Sequence, residues 1–203
     1  MAEAAASRGP GRPPSGARER VLEAGLDVLK ADGYAGLTTA KVAARSGQNK
    51  ALIGYHFGSK QGLVAAVGRG LAEWITEEVV GGLKRTGTVE DVVSGVLDRL
   101  WRVMDRDERL ARLYFDLAAV SVVEPDVRQT MREMKASWRQ VTAELLSAAA
   151  DGPPPRDAEA AAVFVHAGLE GLALERLERG ETPALRQAKR MFVASAPAAV
   201  SAR

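Results

Sequence analysis

Apolar residues recur at helical spacing almost without interruption from Ala17 to about Ala196, and this periodicity is the strongest constraint on the fold. Residues three, four and seven positions apart share one face of an α-helix, whereas a half-buried strand requires alternation with a period of two. No segment sustains that alternation, and no internal repeat is found. The pattern therefore predicts an all-α chain of about nine helices joined by short connections.

Residues that start or stop helices place the predicted boundaries. The predicted helices run from Ala17 to Asp32, from the N-cap Thr38 to Arg45, from about Asn49 to His56, from Ser59 to about Gly81-Gly82, from Thr88 to the Asp105–Asp107 boundary, from Leu110 to Ser121, from Pro125 past Leu145, from Asp157 to Arg179 and from Ala184 to about Ala196. Thr88 and Asp91 have the spacing of a capping box, and Pro125 suits a first helical position.

Composition excludes several classes of protein. The chain has no cysteine, which rules out disulfides, thiolate catalysis and cysteine-ligated zinc. No stretch reaches the roughly 18 consecutive apolar residues of a membrane span, so no membrane partner is expected. Residues 1–16 lack the apolar core of a secretory signal, which favours the cytoplasm.

The proline- and glycine-rich residues 1–16 are expected to form a disordered arm. Arg8 and Arg12 in this arm suit a DNA minor groove, as homeodomain arms do. An ordinary disordered leader fits the same composition equally well. Both interpretations stay open.

Charge is concentrated in one segment although the whole chain carries a net charge of only +2. Residues 33–60 contain four basic side chains and no acidic one, and residues 1–60 carry a net +4 against −2 for residues 61–203. Within this segment two short predicted helices flank a Ser46-Gly47 turn. That arrangement is typical of a helix-turn-helix, whose second helix lies in a DNA major groove.

The stretch from about Arg18 to Leu63 resembles the DNA-binding domain of TetR-family transcriptional repressors. The resemblance rests on an ordered set of features: Asp32-Gly33-Tyr34, Leu37-Thr38-Thr39, Val42-Ala43, Gly47, Tyr55-His56-Phe57, Gly58-Ser59-Lys60 and Leu63. It implies a DNA-binding domain over residues 17–62 and a ligand-binding and dimerisation domain over residues 63–203. Two positions depart from the family pattern, namely Gly54, where a tyrosine is common, and Gln48, where a small apolar residue is common. A small residue at position 54 also resembles the branch that contains the betaine-biosynthesis repressors.

Candidate DNA-binding residues follow from their position on the two helices. Thr38 and Thr39 suit a phosphate at a helix N-terminus, and Asn49 and Lys50 suit base edges. The complete predicted set is Thr38, Thr39, Lys41, Gln48, Asn49, Lys50, Tyr55, His56 and Lys60, of which the last three are expected to clamp the DNA backbone. Val42, Ala43, Leu52, Ile53 and Phe57 are interpreted as packing residues. The alternative is a solvated surface with a satisfied histidine.

Aromatic and sulfur-containing side chains in the second half are candidates for a ligand pocket. They are Trp101, Met104, Tyr114, Phe115, Met134 and Trp138, with Asp116 or His166 as polar partners. Tryptophan and tyrosine near an acid would suit a cationic ligand. The alternative is that aromatic residues at helical spacing form ordinary core.

The last two helices carry apolar faces with small residues, which predicts a dimer interface. The candidates are Phe164, Gly168, Gly171, Leu172, Leu185, Ala188 and Phe192. Alternatively, these faces bury against their own subunit.

The sequence contains no motif for catalysis, a metal site or a cofactor. The resemblance to TetR-family repressors implies a homodimeric, ligand-responsive repressor, with an operator duplex and an unknown small molecule as partners. A cofactor-free helical enzyme and a non-specific architectural DNA-binding protein are the alternatives.

Overall fold

The computed structural model describes residues 16–79, 81, 87–149 and 154–201. Within these ranges it contains nine helices: α1 Ala17–Gly36, α2 Thr39–Ser46, α3 Lys50–Phe57, α4 Lys60–Val79, α5 Val89–Arg106, α6 Glu108–Ser121, α7 Pro125–Ser147, α8 Ala158–Arg179 and α9 Pro183–Val200. No strand occurs in the described ranges, and the all-α prediction is confirmed. Of the predicted arm, only Gly16 is described; Arg8, Arg12, Gly82 and Pro153 lie outside the described residues.

Side-chain caps fix most helix starts where the sequence predicted them. In the capping box of α5, Asp91 N donates to Thr88 Oγ1 at 3.1 Å and Thr88 N donates to Asp91 Oδ2 at 2.9 Å. Asp157 and Thr182 are the N-caps of α8 and α9, where their side-chain oxygens accept from Ala160 N and Leu185 N. The last helix extends beyond its predicted end near Ala196: Pro197 lies inside the helix, which continues to Val200.

The first helix contains a kink at Gly33, where φ is 67° and ψ is −176°. A positive φ is accessible to glycine at little cost, so the residue turns the chain out of the helix axis at this point. The regular helix therefore ends at the predicted Asp32-Gly33 position, although helical hydrogen bonding resumes as far as Gly36.

The core is continuous from the N-terminal helices into the body. Apolar side chains that are each at most 1% exposed pack the four helices α1, α2, α3 and α4 together; they are Leu29, Leu37, Val42, Ile53 and Leu63. Helix α4 continues into the C-terminal body, where it packs on α7 and α5. There α8 packs between α7 and α9, and α6 contacts both α1 and α7. Helix α6 is thus placed between the N-terminal helices and the body.

Candidate DNA interface and effector cavity

Helices α2 and α3 form the helix-turn-helix that the sequence predicted. Gly47 joins them with φ at 66°, a left-handed conformation that favours glycine. Thr38 Oγ1 accepts a hydrogen bond from Lys41 N at 3.2 Å, and Asn49 Oδ1 accepts one from Ala51 N at 2.9 Å. Both side-chain oxygens therefore cap the helices in the free protein. The side-chain amide nitrogen of Asn49 is the group that can still donate a hydrogen bond to another molecule.

The packing side of the motif holds α3 against the other helices. Val42 and Ile53 are buried, and Ala43 and Phe57 pack against the core while partly exposed. The guanidinium of Arg18 lies 5.8 Å from the centre of the Phe57 ring, which adds a contact between α1 and α3. The orientation of α3 is therefore set by contacts with α1, α2 and α4.

The cations of the segment differ in how they are paired. Lys41 Nζ lies 2.8 Å from Asp32 Oδ2, and Lys60 Nζ stands 4.3 Å from the centre of the Tyr34 ring. Lys50, by contrast, is exposed and forms no ion pair with any described residue. Its ammonium group is accordingly free to engage a nucleic acid without first giving up a contact.

The remaining predicted DNA-binding residues have diverse surroundings. Tyr55 is 78% exposed, whereas Thr39 is partly exposed. Gln48 Nε2 donates to Ser46 O at 3.4 Å, so this side chain folds back on the turn. His56 Nε2 is buried and has no hydrogen-bond partner within the described part of the chain. That nitrogen consequently does not face solvent beside Tyr55.

A cavity of about 100 Å³ lies in the body between α4, α5, α6, α7 and α8. Of the predicted pocket residues, the structure brings together Met104, Tyr114, Phe115, Trp138 and His166 at its wall. The wall is completed by apolar side chains and by the polar Thr76, Thr142 and Glu170. The sequence analysis missed these three, since nothing local in a sequence shows which helix faces will meet.

Each polar group of the wall has a partner inside the protein. Tyr114 Oη donates to Glu170 Oε1 at 2.6 Å, and Lys135 Nζ lies 3.0 Å from the same oxygen. Trp138 Nε1 donates to Thr76 Oγ1 at 2.9 Å. Burial, reinforced by the bond to Glu170, raises the pKa of Tyr114 well above its ordinary value, so the phenol stays protonated.

His166 completes this set as a neutral ring. Burial lowers the pKa of His166 below its ordinary value, which keeps the imidazole uncharged at neutral pH. Its Nε2 lies 2.9 Å from Thr142 Oγ1, and that hydroxyl in turn donates to Trp138 O at 2.9 Å. Since the hydroxyl has one proton to give, the network assigns the imidazole hydrogen to Nε2. The ring stacks on Trp138 with their centres 6.4 Å apart.

Trp101, Met134 and Asp116 do not line this cavity. Trp101 turns towards α9 and the connection before it, where its Nε1 donates to Glu181 Oε2 at 2.9 Å. Lys189 Nζ of α9 stands 4.3 Å from the ring centre. Met134 is buried in the hydrophobic core, and Asp116 faces α1.

Comparison with known families identifies both parts of the chain. Residues 21–67 match the sequence model described as bacterial regulatory proteins of the tetR family. Residues 89–198, more than half of the chain, match the model described as the C-terminal part of BetI-type transcriptional repressors. The chain belongs to the TetR family of bacterial regulatory proteins. It is therefore a DNA-binding transcriptional regulator and not an enzyme, and its C-terminal match fits the betaine-repressor branch that the sequence indicated.

Solved structures share the fold of this TetR-family regulator. A transcriptional regulator from Rhodococcus sp. Rha1 has a TM-score of 0.74 at 21% identity, over 92% of this chain and 98% of that one. FadR from Bacillus subtilis, solved with stearoyl-CoA, has a TM-score of 0.70 at 14% identity, over 89% and 98%. A putative regulator from Saccharomonospora viridis, solved with choline, has a TM-score of 0.69 at 20% identity, over 89% and 95%. No functionally curated protein sequence matches the chain significantly.

Helix α6 of the regulator connects the cavity wall with the DNA-binding helices. Its residues Tyr114 and Phe115 line the cavity, whereas Asp116 Oδ2 accepts a hydrogen bond from Tyr34 N at 2.6 Å, directly after the Gly33 kink. At the start of α6, Asp107 forms an ion pair with Lys30 of α1, both being less than 20% exposed. The hydrogen bond from Arg109, followed by the contact with Lys30, lowers the pKa of Asp107 to about 2.

The α8–α9 surface of the regulator keeps large apolar side chains in solvent. Phe164 is 39% exposed and Met191 is 62% exposed, while Leu185 is buried in its own subunit. The Phe192 ring packs directly over Gly168 and lies 5.9 Å from the Phe164 ring. Of the remaining predicted interface residues, Leu172 and Ala188 are partly exposed, and a Cβ added at Gly171 would meet no described atom within 4 Å.

None of the helices in the described ranges is long and apolar enough to cross a bilayer. Among the same residues, no group of three or more histidine, aspartate or glutamate side chains is arranged to hold a metal ion.

Proposed function

We propose that this regulator is a repressor that binds its operator as a homodimer in the cytoplasm and is released when a small molecule occupies the cavity of the body. The single observation that carries the proposal is the position of α6. One side of this helix forms cavity wall at Tyr114 and Phe115, and the other holds Tyr34 of the DNA-binding domain through Asp116. A ligand that moves the wall also moves the anchor of α1.

For the DNA contacts, α3 enters the major groove with Lys50 and Asn49 directed at base edges. Lys50 supports this role because it is exposed and unpaired within the described residues, and the amide nitrogen of Asn49 remains available. Thr39, Tyr55 and the partly exposed Lys60 then lie where the DNA backbone passes. The domain boundaries that go with this arrangement are residues 17–62 and 63–203.

The homodimer uses the exposed apolar surface of α8 and α9. Phe164, Met191 and the half-covered Phe192 would lose their contact with water there, which is favourable at about 25 cal/mol per Å². Leu185 contributes to its own subunit rather than to this surface. A two-fold dimer carries two α3 helices, which must lie about 34–36 Å apart to read successive major grooves.

The paired polar groups of the cavity favour an uncharged, largely apolar or aromatic effector. Glu170 already receives the Tyr114 hydroxyl and the Lys135 ammonium, and that ammonium lies 5.6 Å from the Tyr114 ring centre. Lys135 thus occupies the place that an organic cation such as choline would take beside a carboxylate and an aromatic face. A cationic effector would have to displace it.

An electrophoretic shift assay with DNA flanking the protein's own gene tests the proposal, with random duplex as competitor. A repressor retains its operator in excess competitor, and a neutral aromatic ligand that stabilises the protein thermally also releases the DNA. Equal competition by random duplex would instead indicate a non-specific architectural protein, whose affinity is dominated by salt. Ligands that stabilise the protein without altering DNA retention would refute the effector part alone.

A further inference from the structure

Gly54 lies in the middle of α3, on its exposed side. Its carbonyl accepts a hydrogen bond from Gly58 N at 2.8 Å, and its φ is not positive, so the backbone here is ordinary helix. Glycine destabilises a helix interior relative to alanine because it has more freedom to lose on folding. The conformation of α3 therefore gives no reason for a glycine at this position.

The other glycines between residues 37 and 63 each have a reason within the protein. Gly47 and Gly58 have φ values of 66° and 70°, which favour glycine. A Cβ at Gly62 would lie 2.0 Å from Phe57 O, which is a severe steric clash with the backbone. At Gly54, by contrast, an added Cβ would meet no described atom of the chain within 4 Å. Nothing in the described part of the subunit therefore requires a glycine at this position.

The surroundings of Gly54 indicate what its missing side chain allows. Lys50 and Ala51, four and three positions earlier, are exposed neighbours on the same helical surface, and Tyr55 follows at 78% exposure. The helix with its side chains is about 10–12 Å wide, and the major groove is about 12 Å wide. With so little clearance, a position without a side chain allows the backbone itself to approach the floor of the groove.

We propose that Gly54 is a specificity-determining residue, because its missing side chain lets the backbone of α3 lie against base edges and brings Lys50 within reach of them. The inference rests on the placement of α3 in the major groove adopted under Proposed function, and it is independent of any effector.

The test is Gly54→Ala in the full-length chain, compared with Gly70→Ala. Gly70 is also an exposed glycine inside a helix without a neighbour for a Cβ, but it lies ten residues into α4, roughly 15 Å beyond its start. The probes are a duplex that the wild-type protein enriches from a random-sequence library and the unselected random duplex. Fluorescence anisotropy gives both affinities, and thermal denaturation reports stability.

We expect both variants to be at least as thermally stable as the wild type, since alanine favours the helix. Gly54→Ala should bind the enriched duplex at least tenfold more weakly and keep its affinity for random duplex within twofold, whereas Gly70→Ala should match the wild type on both. Binding of the enriched duplex by Gly54→Ala within twofold of wild type overturns the inference, as does an equal loss on both duplexes or the same loss in Gly70→Ala. A wild-type protein that enriches no sequence overturns the proposed function as well.

Discussion

The hydrogen bond between Tyr34 and Asp116 joins the DNA-binding helices to the body, and its removal has a calculable cost. Asp116 Oδ2 accepts from Tyr34 N at 2.6 Å in a half-buried position. A hydrogen bond to an ionised group contributes about 1.5–3 kcal/mol, and Asp116→Ala would leave the Tyr34 amide without its acceptor. We therefore expect Asp116→Ala to lower the free energy of unfolding by about 2 kcal/mol.

Thermal denaturation followed by circular dichroism measures this effect. A change of 1 kcal/mol shifts the Tm of a protein of this size by roughly 2–4 °C, so the expected decrease is about 4–8 °C. Asp116→Asn retains an oxygen acceptor and loses the charge, so its decrease should be about half as large. Asp98→Ala provides the control, because Asp98 is exposed on α5 and has no hydrogen bond or ion pair to the described residues.

A Tm for Asp116→Ala within about 1 °C of the wild-type value would refute the reasoning, since the expected shift is several times larger. An equal decrease in Asp98→Ala would also refute it, because the loss would then reflect any removed surface carboxylate and not the junction.

Three further predictions concern charged residues elsewhere. Lys50→Ala should lose about 1–3 kcal/mol of discrimination between operator and random duplex, whereas Lys60→Ala should lower the affinity for the two duplexes about equally. If anisotropy titrations show that each variant loses the same affinity for operator as for random duplex, Lys50 does not read bases. Lys135→Met frees Glu170, so calorimetry should show choline binding at least about tenfold tighter than in the wild type, and equal affinities would contradict the assignment of Lys135 as the resident cation. Asp107 has a folded-state pKa of about 2 against an ordinary 3.8, so its contribution is present above about pH 4 and is lost as pH falls towards 2. Acid denaturation of Asp107→Asn should accordingly be flatter over that interval, and identical pH profiles would contradict it.

The helix-turn-helix was predictable because its signals are local. A threonine cap, the Ser46-Gly47 turn and the spacing of apolar residues lie within a few positions of one another, and each acts through the backbone nearby. The capping box at Thr88 was predictable for the same reason. None of these depends on how distant helices pack.

The cavity was predictable only in part because it depends on distant contacts. The presence of a large aromatic side chain correctly predicted Tyr114, Phe115 and Trp138 as wall residues. The same criterion also selected Trp101, which turns towards α9. Thr76, Thr142 and Glu170 carry no distinctive local pattern, and they become wall residues only when α4, α7 and α8 meet. Asp116 was considered as a polar partner of the pocket, but it follows Phe115 by one step around α6 and faces the first helix.

The hydrogen bond between Asp116 of α6 and Tyr34 contributes a free energy similar to the coupling expected between an effector site and a DNA site. Coupling between two binding sites is typically 1–3 kcal/mol, a change in affinity of about 5–150-fold, and one hydrogen bond to a charged group is worth about as much. Under the proposed function, an effector that displaces the wall at Tyr114 enough to break the Tyr34–Asp116 bond therefore needs no larger rearrangement to release DNA. Asp116→Ala already lacks that bond, so it should bind operator more weakly without effector and respond less to it. An undiminished response in this variant would contradict coupling through the Tyr34–Asp116 bond.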